Sequence, residues 1–210
     1  MKVLLVNGSP HEKGCTRAAL DEVERALQAN GVETAHFWIG NQPLTGCTGC
    51  GYCARKGKCR YDDRVNEFLE EAEAYDGFVF GSPVHFASVA ASMKAFMDRA
   101  FFVDHMAGLN RFTLKPGAAV VSARRAGTTA ALDVLQKYLV YAQMPVVSSR
   151  YWNMVHGQTP EQVLEVIEGI QIMRVLGKNM AWLLQCLEAG KKAGVEAPEP
   201  ETRISTNFVR

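Results

Sequence analysis

The chain has 210 residues, of which 48% are hydrophobic and 21% are charged, an ordinary composition for one globular domain. The formal net charge of +1 gives no general attraction to a nucleic acid backbone, so we predict no nucleic-acid partner. No segment approaches about 18 consecutive apolar residues, and the apolar run after Met1 is too short for a signal peptide. We therefore expect a cytoplasmic protein without a membrane partner.

Hydrophobic periodicity predicts alternating strands and helices along the chain. Short apolar runs predict buried strands at 2–7, 32–38, 77–82, 117–122 and 145–152. Helical spacing predicts helices at 16–29, 62–74, 88–102, 127–142 and 160–189, with Asp62 or Asp63 as the cap of the second helix. Five strands alternating with helices indicate an α/β fold with a doubly wound, five-stranded parallel sheet and helices on both faces.

The chain contains no internal repeat and no linker rich in Gly or Ser. Residues 1–190 are therefore predicted to form a single domain, and residues 191–210, which are polar and contain prolines, to form a C-terminal tail. Residues 40–61 form an unusually long insert without periodicity, and long loops of this kind are usually functional.

The loop after the first predicted strand suits an anion. Residues 7–16 read Asn-Gly-Ser-Pro-His-Glu-Lys-Gly-Cys-Thr and lead into a helix whose N-terminal N–H groups and dipole favour a phosphate. Ser9 and Thr16 add hydroxyl groups, and His11 and Lys13 can add positive charge. The P-loop spacing and the G-x-G-x-x-G motif are both absent, so neither ATP nor a Rossmann-bound dinucleotide is indicated. An ordinary strand-to-helix turn is the alternative.

Two motifs together resemble one known family. The first is Gly-Ser-Pro at 8–10 with Gly14 and Thr16, and the second reads G-S-P-V-H-F-A-S at 81–88 and M-K-A-F-M-D-R at 93–99. Both are similar to segments of the flavodoxin-like NAD(P)H-dependent FMN reductases, and the likeness runs from residue 1 to about 160. The closing residues 206–210 also resemble a frequent ending in that family. The resemblance implies a flavodoxin-like fold, an FMN cofactor and an oxidoreductase activity.

The same resemblance implies three FMN-binding loops. The first contacts the phosphate, the second lines the isoalloxazine ring, and the third closes over the other edge of the ring. In this chain the implied residues are Ser9, His11, Cys15 and Thr16 in the first loop, Pro83, Val84, His85, Phe86 and Ser88 in the second, and Ser122, Ala123, Arg124 and Gly127 in the third. No catalytic residue is assigned, because the redox chemistry belongs to the flavin. Lys94 and Arg99 are interpreted as helix-surface charges or as partners of Asp98.

Four cysteines lie within thirteen residues of the insert, whereas Cys15 and Cys186 stand alone. In a reducing compartment such a group indicates a metal or redox site rather than a disulfide framework. The four follow a C-x2-C-x2-C-x5-C pattern and are Cys47, Cys50, Cys53 and Cys59. The first three match the run that wraps a cubane cluster, so we predict a [4Fe–4S] cluster, with zinc and free or disulfide-prone thiols as the alternatives. Zinc ribbons normally separate two C-x2-C pairs by roughly 15 to 20 residues, and this chain lacks that spacing.

The cysteine pattern resembles the iron-sulfur flavoproteins, a branch of the same family in which FMN exchanges electrons with a cluster. The resemblance implies a homodimer or homotetramer. We expect an FMN-dependent oxidoreductase that takes electrons from NAD(P)H or a reduced carrier such as ferredoxin, with the cluster as a relay. The alternatives are an electron-transfer flavoprotein without a small-molecule substrate, an FMN reductase whose cysteines bind no metal, and a redox-sensing or structural protein that keeps only the fold. Basic residues among the cysteines can offset the charge of a cluster or steer an acidic donor; they are Arg55, Lys56, Lys58 and Arg60.

Overall fold

A computed structural model describes residues 1–201 together with Ile204 and Thr206. Most of the 206–210 ending therefore lies outside the described residues. The strands are β1 (Lys2–Asn7), β2 (Glu33–Trp38), β3 (Gly77–His85), β4 (Ser88–Val89), β5 (Gly117–Ala123) and β6 (Met154–His156). Five of them pair in parallel in the order β2-β1-β3-β5-β6, and β4 pairs antiparallel with the end of β3. This parallel order is that of flavodoxin, so the predicted fold class is confirmed.

Helices cover both faces of the sheet. They are α1 (Cys15–Gln28), α2 (Tyr52–Lys56), α3 (Arg64–Glu71), α4 (Ala91–Ala107), α5 (Thr128–Tyr141), α6 (Pro160–Glu165) and α7 (Ile167–Lys192). One apolar core lies under α3, α4 and α5, and the other lies under α1 and α7. Within the described part of the chain, no helix combines the length and the apolar character needed to cross a bilayer.

The central strands are continuous apolar runs because both of their faces are covered. In β1, Leu4 and Val6 face the core under α4, whereas Val3 and Leu5 face the core under α1. Successive side chains of a strand point to opposite faces, so a parallel strand in this position is apolar at every residue. The carboxyl ends of β1, β3 and β5 meet at one edge of the sheet, where the three predicted loops lie.

The strand predicted at 145–152 is wrong in position. Only Val146 of that range bridges to β5, and the last parallel strand is Met154–His156. The polar residues between them turn towards α7, because the Ser149 hydroxyl donates to the Ile172 carbonyl at 2.7 Å and the Ser148 carbonyl accepts from the side chain of Asn179 at 2.8 Å. The sheet also has six strands rather than the five predicted, because the short β4, which pairs with β3, was not predicted.

Three predicted segments differ from the structure in their bounds or in their internal structure. The helix predicted at 88–102 starts at Ala91 and continues to Ala107, because Ser88 and Val89 pair with β3. The helix predicted at 160–189 breaks at Val166, whose ψ of 86° is not helical, and its second part extends to Lys192. The 40–61 insert contains the short helix α2. Asp63 caps α3, as one of the two predicted candidates.

Candidate functional site

The loop between β1 and α1 is held in shape by its own side chains. The Asn7 amide donates to the Glu12 carbonyl at 2.9 Å, and Asn7 Oδ1 accepts from the Ser9 N–H at 3.0 Å. The Ser9 hydroxyl in turn accepts from the His11 N–H at 3.1 Å. Gly8 lies so close to β3 that a Cβ atom would stand 2.8 Å from a carbonyl oxygen of that strand. The loop conformation is therefore fixed by the protein itself.

Helix α1 begins at the end of this loop without a side-chain cap. Its first N–H groups are available to an anion, and the helix dipole favours negative charge there. Thr16 is buried, and its hydroxyl shares a hydrogen bond of 2.8 Å with the Ser122 hydroxyl, which joins the first loop to the end of β5. Burial raises the pKa of Cys15, whose thiol donates to the Gly157 carbonyl at 3.6 Å. His11 is exposed at the rim.

The second and third loops contact each other. The turn between β3 and β4 holds Phe86 and Ala87 at φ of 48° and 58°, and the Phe86 side chain is fully exposed. Gly127 has a φ of 95°, and a Cβ atom there would stand 2.5 Å from the Ala87 Cα and 3.0 Å from the Val84 Cγ1. Glycine tolerates both the positive φ and the close approach. The other predicted loop residues lie at the same edge of the sheet: Pro83, His85, Ser88, Ala123 and Arg124.

Two side chains shape this region although they were not predicted as site residues, namely Asn7 and Trp38. Asn7 shapes the first loop, and its position directly before Gly8 at a strand end is a turn signal that points to such a role. The indole N–H of Trp38 donates to the Ser9 carbonyl at 2.8 Å. That contact depends on the pairing of β1 with β2, so no local sequence signal identifies it.

All four clustered cysteines line one cavity beside α4. Cys47 and Cys50 are exposed, Cys53 is buried, and Cys59 is half-buried. The Tyr52 backbone N–H lowers the pKa of Cys50, whereas burial raises the pKa of Cys53. The segment can fold back on itself because α2 is bounded by two glycines in the left-handed region, both at φ 66°.

The distances between the thiols can be compared with the geometry of a single zinc site. Four thiolates around one zinc, at about 2.3 Å each, lie about 3.8 Å from one another. We therefore compare the positions of the His, Cys, Asp and Glu atoms that can bind a metal. Among the described residues, one set of three such atoms has all its members within 4.8 Å of one another, and it belongs to Asp21, Glu24 and His36. That set is bridged internally, since His36 Nε2 lies 3.0 Å from a Glu24 oxygen. No three of the four cysteine sulfurs therefore lie within 4.8 Å of one another.

Arg99 does not lie on the helix surface, nor does it pair with Asp98, so that interpretation is wrong. It is 1% exposed and forms a two-pronged ion pair with Asp63, at 2.8 and 2.9 Å. The reason is its position on the face of α4 that packs against the insert. Lys94, by contrast, pairs with Asp98 at the surface as expected, at 2.7 Å.

The sheet order and the three loops at its carboxyl edge define a flavodoxin-like protein. Residues 1–159 match the family model described as NADPH-dependent FMN reductase. The chain belongs to this family.

Curated relatives and a solved structure extend this comparison. An iron-sulfur flavoprotein of Methanocaldococcus jannaschii is 29% identical over 194 residues, which cover 90% of this chain and 100% of the relative. An iron-sulfur flavoprotein of Archaeoglobus fulgidus is also 29% identical over 194 residues, covering 87% of this chain and 97% of the relative. The structure of FerB, a flavoenzyme NAD(P)H:(acceptor) oxidoreductase from Paracoccus denitrificans, superposes with a TM-score of 0.64 at 14% identity, over 88% of this chain and 97% of that chain. The last likeness concerns the fold alone.

Proposed function

We propose that the protein is an FMN-dependent oxidoreductase that accepts electrons from NAD(P)H or from a reduced carrier. The observation that carries the proposal is the shaped loop between β1 and α1, which ends at a helix N-terminus without a side-chain cap. Membership of the NADPH-dependent FMN reductase family supports it.

The residues present fit FMN. In the proposal, Ser9, His11, Cys15 and Thr16 surround the phosphate, together with the N–H groups at the start of α1. The ring lies against the turn between β3 and β4 and the loop after β5, through Pro83, Val84, His85, Phe86, Ser88, Ser122, Ala123, Arg124 and Gly127. FMN, when bound, supplies the transfer of electrons, and the protein orients it and excludes competing reactions. Arg124 brings positive charge to the ring edge, which favours a reduced, anionic flavin.

We further propose that the cysteine cavity holds a [4Fe–4S] cluster as a relay, with Cys47, Cys50, Cys53 and Cys59 as ligands. The C-x2-C-x2-C run, which matches the segment that wraps a cubane cluster, supports the choice of a cluster over a single zinc ion. The names of the curated relatives agree with it. Anaerobic purification followed by iron and acid-labile sulfide analysis tests the assignment. About four of each per chain are expected, and the absence of both alongside a full complement of FMN refutes it.

Stopped-flow spectroscopy distinguishes the electron donors. Rapid bleaching of the flavin band by NADH or NADPH supports the reductase, whereas bleaching only by reduced ferredoxin or dithionite supports a carrier protein. Failure to bind FMN contradicts both. A matched variant, Cys47→Ser with Cys50→Ser, removes two cluster ligands that are distant from the FMN loops in sequence. It is expected to keep FMN reduction by NAD(P)H while losing onward transfer through the cluster.

An electron-transfer flavoprotein without a small-molecule substrate is the second candidate. The observation that favours it is the group of exposed cations around the cysteines, Arg55, Lys56, Lys58 and Arg60. Such a group steers an acidic protein partner at a rate that falls with ionic strength. A salt-independent reduction rate with ferredoxin contradicts this candidate.

We also propose a cytoplasmic homodimer or homotetramer. Large apolar side chains remain exposed near the start of α7 and along it, among them Ile167 at 80% and Trp182 at 66%. Large apolar side chains of this kind become buried when subunits associate through the surface that carries them. Sedimentation velocity at micromolar concentration tests this point, and a monomer contradicts it.

A further inference from the structure

Arg99 is the largest buried cation among the described residues, and its contacts are with the insert and the residues just after it rather than with its own helix. Arg99 lies near the middle of α4, and its guanidinium has five N–H groups that all need partners when buried. Nη1 contacts Asp63 at 2.8 Å and the Thr45 carbonyl at 3.4 Å. Nη2 contacts Asp63 at 2.9 Å and the Tyr61 carbonyl at 3.1 Å. An arginine guanidinium keeps its charge in a protein, so the buried group needs the Asp63 carboxylate beside it.

These partners lie at both ends of the cysteine segment. Thr45 stands two residues before the first clustered cysteine, and Tyr61 and Asp63 follow the last one. A single side chain of α4 therefore brings the start and the end of the segment together. Without this contact, the two ends of the segment would have to come together when a ligand binds, at a cost in conformational entropy.

Arg99 also contacts one of the cysteines directly. Its Nε lies 3.2 Å and its Nη2 3.1 Å from Cys59 Sγ, so two N–H groups point at that sulfur. The buried Asn66 holds the backbone of the same residue, because Asn66 Oδ1 accepts from the Cys59 N–H at 2.8 Å and Asn66 Nδ2 donates to the Cys59 carbonyl at 3.1 Å. Cys59 is thus fixed by both its sulfur and its backbone, whereas Cys47 and Cys50 are exposed.

We propose that Arg99 is a positioning residue for the cysteine site: it closes the segment from Thr45 to Asp63 and donates two N–H groups to the Cys59 sulfur, which makes a cluster held there easier to reduce. The proposal rests on the cluster assigned under the proposed function. Hydrogen bonds to the sulfurs and nearby positive charge stabilise the added electron, and both raise the reduction potential of iron-sulfur clusters.

The test compares Arg99→Lys and Arg99→Gln with the wild-type protein and with Lys94→Gln, all purified anaerobically. Lys94→Gln is the matched control, because it removes an exposed cation one to two turns earlier on the same helix. Three quantities are measured: iron and sulfide per chain, FMN per chain, and the fraction of reduced cluster at a fixed solution potential.

Arg99→Lys keeps a charge opposite Asp63 but loses the planar fork, so it is expected to fold and to keep most of its iron. Its ratio of oxidised to reduced cluster at the fixed potential should rise about tenfold, which corresponds to about 59 mV for a one-electron couple. Arg99→Gln should lose more than half of its iron while its FMN content is unchanged. Lys94→Gln should match the wild-type protein in all three quantities.

Unchanged iron content in Arg99→Gln overturns the proposal, as does an unchanged reduced fraction in Arg99→Lys or an equal effect of Lys94→Gln. If the wild-type protein holds no iron, the cluster assignment fails by itself, and the closure by Arg99 is then tested on the isolated full chain by amide hydrogen exchange. In that case Arg99→Gln should speed exchange across 45–63 at least fivefold without altering β1. Equal exchange in the two proteins contradicts the closure.

Discussion

Replacing Gly127 by alanine tests whether the second and third loops form one surface. The added Cβ would stand 2.5 Å from the Ala87 Cα, a backbone atom that cannot rotate away, and 3.0 Å from Val84 Cγ1. The φ of 95° adds strain of about 1–2 kcal/mol for a residue with a side chain. Forcing an extra carbon into a packed contact typically costs a further 1–3 kcal/mol. We therefore expect Gly127→Ala to lower the free energy of unfolding by about 2–5 kcal/mol.

Gly31→Ala is the matched control. Gly31 also has a positive φ, of 77°, but an added Cβ would have no atom within 4 Å. Its effect thus reports the backbone strain alone, and the difference between the two variants reports the collision with the β3–β4 turn. Urea unfolding of the FMN-free proteins should give a difference of about 1–3 kcal/mol.

FMN titration completes the experiment. If Gly127 belongs to the ring-binding loop, Gly127→Ala should raise the Kd for FMN at least about tenfold, equivalent to about 1.4 kcal/mol, and Gly31→Ala should leave it unchanged. Flavin fluorescence quenching measures both. Unfolding free energies of the two variants that agree within about 0.5 kcal/mol, well below the expected cost of the collision, would refute the steric reasoning. An unchanged Kd would refute the place of Gly127 in the FMN site.

Three further predictions concern other contacts. Thr16→Val leaves the buried Ser122 hydroxyl without its 2.8 Å partner, so it should cost about 1–3 kcal/mol in urea unfolding and weaken FMN binding; an unaltered protein contradicts the link between the two loops. Gly177→Ala places a Cβ 2.7 Å from a carbonyl oxygen of α1, so Tm should fall while the Kd for FMN stays constant, and a loss of FMN affinity would show that the effect is not local. Burial and a hydrogen bond with Asp98 raise the pKa of Tyr138 from 10.0 to about 12, so the stabilisation by its neutral phenol is fully present below pH 10 and is lost as the pH rises through about 12. The stability advantage of the wild-type protein over Tyr138→Phe should therefore shrink over that range, and a constant difference contradicts the assignment.

The sequence predicts the parallel core well because burial on both faces makes each central strand an unbroken apolar run, as in β1. It fails where long-range contacts decide the structure. β6 has only three residues, and its position depends on how the polar residues before it bond to α7. The turn between β3 and β4 uses Phe86 and Ala87 at positive φ, residues that carry none of the Asn-Gly or Gly-rich signals of a hairpin.

The candidate sites also differ in how much of them can be predicted from the sequence. The loop after β1 is recognisable because its Gly, Ser and Thr residues are local to one strand-helix junction. The role of Arg99 is not recognisable, because its partners Asp63 and Cys59 lie 36 and 40 residues away. A charged residue in a helical pattern is ordinarily read as exposed, and only the fold shows that this one is buried against the insert.

Helix α4 connects the two candidate sites and also makes them separable by experiment. Its start is anchored to the loops proposed to bind FMN, since the Ala90 N–H contacts both the Ser82 hydroxyl and the Pro83 carbonyl at 3.2 Å. Arg99 follows Ala91 by eight residues, or about 12 Å along the helix axis. A substitution at Arg99 therefore acts more than two turns away from the proposed FMN loops, and one at Gly127 acts on a different strand end. Iron loss without FMN loss in the first, and FMN loss without iron loss in the second, is the outcome that two independently built sites require.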